Sequence, residues 1–159
     1  MASSSKTRVL IVEGRFYEDI SDELVHGAVD VLEDSGVAYE RIDVPGALEI
    51  PIVIAMAHEA GRLGPSSAGT EFAGCVALGC VIRGETSHYD IVAGQSARAL
   101  MDLATTRHLP IGNGILTVDN REQAMVRARG GRAGKGGDAA SACLRLMEIW
   151  SEIHGRQVS

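Results

Sequence analysis

Cysteine is scarce in this sequence, and its spacing excludes two kinds of protein. The chain of 159 residues holds three cysteines, Cys75, Cys80 and Cys143, with no CxxC pair among them. An odd number of dispersed cysteines argues against a secreted disulfide framework. No HxH, HxxxH or CxxC spacing places two metal ligands side by side. We therefore expect a reducing, cytoplasmic location and no metal site.

Lysine and long apolar runs are also scarce. Two lysines, Lys6 and Lys135, stand beside thirteen arginines, and the formal net charge is −6 with a pI near 5.3. The long-range field of a negative chain does not attract nucleic acid or an anionic membrane surface. No segment approaches the roughly 20 apolar residues of a membrane span, and the first residues lack a signal-peptide pattern. The expected partners are small molecules and further copies of the chain, with no nucleic acid and no membrane.

Patterns typical of strands and of helices alternate along the chain. Apolar β-forming residues bounded by glycine or proline cluster at 8–12, 37–44, 72–82 and 110–118. Helical spacing follows at 20–35, 49–60, 88–106, 121–129 and 137–154. The alternation predicts an α/β fold, a three-layer α/β/α sandwich whose four-stranded, mainly parallel sheet has helices on both faces. We expect a disordered tail at 1–7, a single domain at 8–159, and a surface loop at 61–71.

The segment after the third strand, IRGETSHYD at 82–90, contains more polar and titratable residues than a simple connection between a strand and a helix requires. It lies where ligands bind parallel sheets, at the carboxyl end of a strand. Gly84 lets the backbone turn, and Thr86 or Ser87 is placed to cap a helix that begins near His88. The amides at that helix start suit a phosphate oxygen, although an ordinary capped helix explains the same residues. His88, in a polar loop at the mouth of the sheet, is placed to move protons.

The segment after the second strand, DVPGALEIP at 43–51, is the second candidate for a binding loop. Its Pro-Gly turn precedes a helix and exposes backbone groups at Ala47 and Leu48 beside the Glu49 carboxylate. Such a set suits a flat heterocycle that has both donors and acceptors. A helix start with a glutamate favoured by the dipole is the alternative interpretation.

Other candidate residues have plainer interpretations. The segment at 128–138, ARGGRAGKGGD, resembles a phosphate loop, but Gly136 follows Lys135 where serine or threonine is needed. We interpret it as a flexible, basic connection between two helices, with Arg127 and Lys135 available to an anion. Cys80 lies at a strand end, and burial as a small apolar residue is favoured over a nucleophilic role. We interpret four histidines as structural or solvent-facing: His26, His58, His108 and His154.

The ordered motifs resemble those of the lumazine synthase family over nearly the whole chain. They are GRF at 14–16, VPGALEIP at 44–51, ALGCVIRGETSHYD at 77–90, GILT at 114–117, EQAMVRA at 122–128 and KGG at 135–137. The resemblance implies a flavodoxin-like fold and the penultimate reaction of riboflavin biosynthesis, without a cofactor. In that reaction 5-amino-6-(D-ribitylamino)uracil condenses with 3,4-dihydroxy-2-butanone 4-phosphate to 6,7-dimethyl-8-ribityllumazine, phosphate and water.

The resemblance also implies roles for individual residues. His88 is the proton-transfer residue, and Phe16 stacks on the pyrimidine ring. The residues implied to bind the phosphate are Gly84, Glu85, Thr86 and Arg127. Those implied to contact the heterocycle or the ribityl chain, besides Phe16, are Ala47, Leu48, Glu49, Cys80, Val81, Ile82, Asn113 and Lys135.

Two positions depart from the family pattern. Asn113 stands where many members carry a phenylalanine that covers the heterocycle from an adjacent subunit, and Cys80 stands where threonine is frequent. We expect altered affinity for the substrate, because an amide lacks an aromatic face.

Members of the family form rings of five with shared active sites, so the resemblance implies a homopentamer or a multiple of pentamers. Residues 113, 127 and 135 then come from the next chain. Two alternatives from other classes remain open at this point: a non-catalytic flavin- or lumazine-binding protein, and an assembly protein, each on the same scaffold.

Overall fold

Four strands form one parallel sheet in the computed structural model, which describes residues 7–155. The strands are β1 (Arg8–Gly14), β2 (Ala38–Val44), β3 (Gly74–Ile82) and β4 (Ile111–Val118). Their order is β2-β1-β3-β4, and every neighbouring pair is parallel. The predicted four-stranded parallel sheet is therefore confirmed. Apart from Thr7, the predicted tail lies outside the described residues.

Helices cover both faces of the sheet, as the alternating pattern predicts. They are α1 (Glu18–Asp34), α2 (Glu49–Glu59), α3 (His88–Thr106), α4 (Arg121–Ala128) and α5 (Lys135–Gly155). One apolar cluster joins α1, α4 and α5 to one face of the sheet, and a second joins α2 and α3 to the other. This is the predicted three-layer sandwich. None of the helices within 7–155 is both long and apolar enough to cross a membrane.

Strand β3 shows why the central strands appear in the sequence as continuous apolar runs. Cys75 and Ala77 pack into the cluster with α2 and α3, whereas Val76 and Leu78 pack into the cluster with α1, α4 and α5. Because both faces are covered, the period of two that marks a half-buried strand disappears.

The segment at 128–138 differs from its prediction. Helix α5 begins at Lys135, two residues before the predicted start at Gly137, and Gly136 is buried against α1. A Cβ atom at Gly136 would lie 1.9 Å from the carbonyl oxygen of Leu24, so only glycine allows the two helices to approach this closely. Residues 129–134 do connect α4 to α5, as predicted, but Gly136 and Gly137 belong to α5 rather than to a flexible linker, and they pack against neighbouring backbone.

The loop at 61–71 is only partly at the surface. Leu63 is buried and forms an isolated bridge with Phe72, which is also buried. The amide of Gly64 donates to the Phe72 carbonyl at 3.1 Å, and the Phe72 amide donates to the Arg62 carbonyl at 2.8 Å. The rest of the segment, which includes a short 3-10 turn at Ser66–Ala68, lies on the outside.

Candidate active site

The loops after β1, β2 and β3 meet over one cavity at the carboxyl edge of the sheet. The cavity has a volume of about 420 Å³, within the range of small-molecule sites. Its lining residues are Phe16, Tyr17, Pro45, Gly46, Ala47, Leu48, Glu49, Cys80, Val81, Ile82, Gly84, Thr86, His88, Tyr89 and Val92. A second hollow of about 640 Å³ lies at the opposite edge, where Arg8 and Glu71 pair with each other. Ligands of parallel sheets bind at the carboxyl edge, so the first cavity is the candidate site.

Most of the predicted site residues line this cavity, and four do not. Those in the lining are Phe16, Ala47, Leu48, Glu49, Cys80, Val81, Ile82, Gly84, Thr86 and His88. Those outside it are Glu85, Asn113, Arg127 and Lys135. Glu85 belongs to the same loop as Gly84 and Thr86, whereas the other three lie on β4, α4 and α5.

The loop after β3 leads into α3, where the amide of His88 is capped by the loop and those of Tyr89 and Asp90 have no backbone acceptor among the described residues. The hydroxyl of Thr86 accepts the amide of His88 at 3.3 Å, whereas Ser87 occupies the N-cap position and makes no side-chain cap. The first carbonyl used by the helix is that of Ser87, which accepts the Ile91 amide at 3.3 Å. The amides that precede Ile91 therefore have no acceptor inside the helix. The His88 side chain is exposed beside them, so an anion bound at this helix start lies next to an imidazole.

The turn in the loop after β2 is closed by the side chain of Glu49. Its carboxylate accepts the amide of Gly46 at 2.9 Å, which closes the turn before α2. Ala47 is buried against Val81 and Val92, and the three form a small apolar cluster. In the described part of the chain no acceptor faces the amides of Ala47 or Leu48. These amides are the backbone groups that the sequence predicted to meet a heterocycle.

The loop after β1 presents an aromatic ring at the rim. Phe16 is 70% exposed and meets Tyr17 edge to face, with ring centroids 4.9 Å apart. An exposed phenylalanine on a short loop is available to stack on a flat ligand.

Five lining residues were not predicted from the sequence, namely Tyr17, Pro45, Gly46, Tyr89 and Val92. Helical spacing offered a signal for one of them, because Val92 lies four residues after His88 on the same face of α3. Tyr17 directly follows the GRF motif.

The cavity holds no lysine or arginine among its lining residues. Arg83 follows β3 but does not line the cavity; its Nε lies 3.1 Å from a carboxylate oxygen of Asp119, and its guanidinium lies over the ring of Tyr89. Arg127 is exposed on α4 and donates to the Gln123 carbonyl at 3.1 Å. Neither Arg127 nor Lys135 pairs with a carboxylate of residues 7–155. The two cations are thus available to something other than their own chain.

Asn113 lies on the edge strand β4, on the same face of the sheet as Ile111 and Ile115, which pack toward α2 and α3. Its side-chain oxygen accepts the amide of Ile115 at 2.9 Å, which satisfies one of the backbone donors of the edge. The side chain is exposed and lies outside the cavity of its own chain.

The Cys80 thiol lines the cavity but is held in its neutral form. Burial raises the pKa of Cys80 to about 11, and the opposing charge of Arg121 offsets only part of that rise. Because the thiolate is the nucleophile, a thiol with a raised pKa reacts slowly at neutral pH. Burial also raises the pKa of Cys143 to about 12 and that of Cys75 well above its ordinary value. The apolar interpretation of Cys80 is favoured.

Cys80 is expected to alkylate about a hundredfold more slowly than free cysteine at about pH 7.5, with a rate that rises steadily toward pH 10. The measurement is the mass of the Cys80 peptide after timed exposure to iodoacetamide, with Cys80→Ser as control. Labelling as fast as that of free cysteine at neutral pH contradicts this prediction.

The remaining histidines lie away from the cavity. His26 and His108 are exposed. The ring of His58 bonds with the Leu63 carbonyl at 2.9 Å, and that of His154 with the Trp150 carbonyl at 2.8 Å. Across residues 7–155, no group of three or more His, Cys, Asp or Glu side chains is arranged to hold a metal ion.

A parallel sheet with unpaired amides and an exposed imidazole over one apolar cavity is the arrangement typical of α/β enzymes that act on small molecules. Comparison with known proteins gives the family. A family model described as 6,7-dimethyl-8-ribityllumazine synthase matches residues 6–151. The chain belongs to this family, which confirms the resemblance of its motifs.

Similar proteins carry the same name. One from Methylorubrum populi is 57% identical over 94% of this chain and 86% of its own length. One from Agrobacterium fabrum is 55% identical over 95% of this chain and 99% of its own. A third, 6,7-dimethyl-8-ribityllumazine synthase 1 of Rhizobium meliloti, is 53% identical over 94% of this chain and 95% of its own. The catalytic interpretation is thereby favoured over the binding-only and assembly-only alternatives.

Proposed function

We propose that the protein condenses 5-amino-6-(D-ribitylamino)uracil with 3,4-dihydroxy-2-butanone 4-phosphate to 6,7-dimethyl-8-ribityllumazine, phosphate and water. The observation that carries the proposal is the meeting of three loops over one cavity, in a chain of the synthase family. They bring an exposed aromatic ring, a turn with free amides, and a helix start beside His88. Each of these suits one part of the two substrates.

The pyrimidine binds between the Phe16 ring and the apolar wall formed by Val81 and its neighbours. The amides of Ala47 and Leu48 meet the ribityl chain. The phosphate of the second substrate binds the amides at 84–86 and the Thr86 hydroxyl, where the α3 dipole favours an anion.

The chemistry needs little beyond positioning and one proton carrier. The uracil amine attacks the ketone carbonyl, loss of water leaves an imine, and phosphate then departs before the ring closes with loss of a second water. His88, next to the phosphate site, moves protons during imine formation and phosphate departure. Holding the two substrates face to face supplies most of the remaining rate, because it converts a bimolecular encounter into a local one.

A complete site requires a second chain. The cavity lacks a lysine or arginine of its own, and the phosphate carries negative charge. We infer that Arg127, Lys135 and Asn113 of a neighbouring subunit complete it, in a homopentamer or a multiple of pentamers. The surface of α2 and α3 supports this arrangement, because Met56 and Met101 on these helices are more than half exposed.

We also propose a cytoplasmic location. The three cysteines are unpaired, and free thiols persist in a reducing compartment.

The test of the proposed reaction is direct. Purified protein mixed with the two substrates is expected to form the fluorescent lumazine, with release of inorganic phosphate in equal amount. Binding of the pyrimidine without product formation would contradict the proposed reaction and favour a non-catalytic binding protein.

Light scattering tests the assembly. A particle of five chains or a multiple of five is expected at micromolar concentration, and its activity should fall when dilution dissociates it. Full activity in a monomer contradicts the shared site.

A further inference from the structure

Glu13 is a buried acid that the proposed mechanism does not use. It is 1% exposed and lies near the end of β1, on the face where Val9 and Ile11 join the cluster with α1. An apolar side chain would fill that position as its neighbours do. Replacing buried ion pairs by apolar residues is often neutral or stabilising, so folding alone does not account for a charge here.

Two arginines neutralise the carboxylate. Arg41 of β2 approaches with Nε at 2.7 Å and Nη2 at 2.9 Å, one nitrogen on each oxygen. Arg15 donates from Nη1 at 2.6 Å. Burial by itself would raise the pKa of Glu13, but the hydrogen bonds and charges of Arg41 and Arg15 outweigh it and lower the pKa. The carboxylate therefore remains charged and bonded at neutral pH.

Arg15 extends this cluster into the first loop of the cavity. Its guanidinium also pairs with Asp22 and lies near the Glu18 carbonyl on α1. Its amide donates to the Val44 carbonyl at the end of β2, at 3.0 Å. Arg15 is thus held by β1, β2 and α1 together, whereas the next residue, Phe16, is 70% exposed and has its ring against Tyr17. The position of the Phe16 ring depends on the residue before it.

We propose that Glu13 is a positioning residue: through Arg15 it holds the loop that presents the Phe16 ring to the pyrimidine substrate. The inference rests on the proposed function, in which Phe16 stacks on that substrate. Glu13 itself does not line the cavity. Its effect on the reaction therefore passes through Phe16.

Glu13→Gln removes the charge and keeps the shape. We expect the KM for the pyrimidine to rise about three- to tenfold, because loss of one aromatic stacking contact weakens binding by about that factor. The kcat should change less than about twofold, because the contact is lost equally from the ground state and the transition state.

Glu71→Gln is the matched control. Glu71 also accepts from two arginines, Arg8 at 2.6 Å and Arg62 at 2.8 Å, but at the opposite edge of the sheet. This variant should leave both KM values unchanged. An equal rise of KM in both variants would indicate a general loss of stability and overturn the proposal.

The double variant Glu13→Gln with Phe16→Ala separates this inference from the proposed function. If Glu13 acts through Phe16, the double variant has the same KM for the pyrimidine as Phe16→Ala alone. If the two effects multiply, or if Glu13→Gln has none while Phe16→Ala has a large one, the positioning role is wrong and the proposed function stands. If Phe16→Ala itself changes nothing, the stacking role of Phe16 fails and the inference fails with it.

Arg15→Lys serves as a second variant should Glu13→Gln not fold. Lysine keeps the charge but cannot bridge Glu13 and Asp22 as the guanidinium does. A smaller rise in the same KM is expected, and an unchanged KM overturns the proposal.

Discussion

Replacement of His88 by alanine is expected to lower kcat by a factor of about ten to a thousand, the range that loss of a proton-transfer group produces. The KM for the pyrimidine should change little, because His88 lies beside the phosphate site rather than under Phe16. The measurement is initial velocity of lumazine formation with each substrate varied in turn.

Two further experiments test the His88 prediction: rescue by added imidazole, and a control variant at another exposed histidine. His88 is exposed at the rim of the cavity, so added imidazole should enter the space left by the ring and restore part of the lost rate. His26→Ala is the control, since His26 is exposed on α1 and does not line the cavity. Wild-type turnover in His88→Ala rules out the proton-transfer role.

Loss of Arg127 is the second large effect, and we expect Arg127→Ala to raise the KM for the butanone phosphate about ten- to a hundredfold. Loss of the charge-assisted hydrogen bonds that an arginine donates to a phosphate weakens phosphate binding by about that factor. Arg129→Ala is the matched control, because Arg129 lies one residue beyond α4, is also exposed, and carries the same charge as Arg127. Equal effects of the two variants would mean that only net charge matters at this surface.

Mixed rings test whether Arg127 acts in the neighbour's cavity. Co-expressed His88→Ala and Arg127→Ala chains form some sites in which the His88 of one chain faces the Arg127 of the next. In random rings about one quarter of the sites are intact in this way, so at butanone phosphate concentrations well below the wild-type KM about one quarter of the wild-type activity should return.

A second mixture controls for assembly itself. His88 and Phe16 line the same chain's cavity, so mixed His88→Ala and Phe16→Ala chains should show no more than the average activity of the two separate variants. Equal recovery in both mixtures, or none in either, rules out the shared site.

The fold was largely predictable because its signals are local. Alternating apolar runs and helical spacing depend on neighbouring residues, and β3 and α3 begin and end within two residues of their predicted limits. Loop residues at the ends of parallel strands were predictable for the same reason, since the topology brings the strand ends together.

The failures arise where distant residues meet. The glycines at 130–137 resemble a flexible linker in the sequence. Position 136 must nevertheless be glycine, because a Cβ atom there would collide with the Leu24 carbonyl of α1. Glu13 appears in the sequence as one acid at a strand end, and Arg41 lies 28 residues away along the chain. No local sequence pattern predicts either contact.

By itself, the sequence determined the order of strands and helices, the family, and which loops carry chemistry, because these depend on spacing and residue type. Only the tertiary structure decided which residues share the cavity, that Arg127, Lys135 and Asn113 lie outside it, and that the buried carboxylate of Glu13 accepts a hydrogen bond from Arg15. Those facts depend on distances between segments far apart in the chain. Such distances are set when the helices pack against the two faces of the sheet.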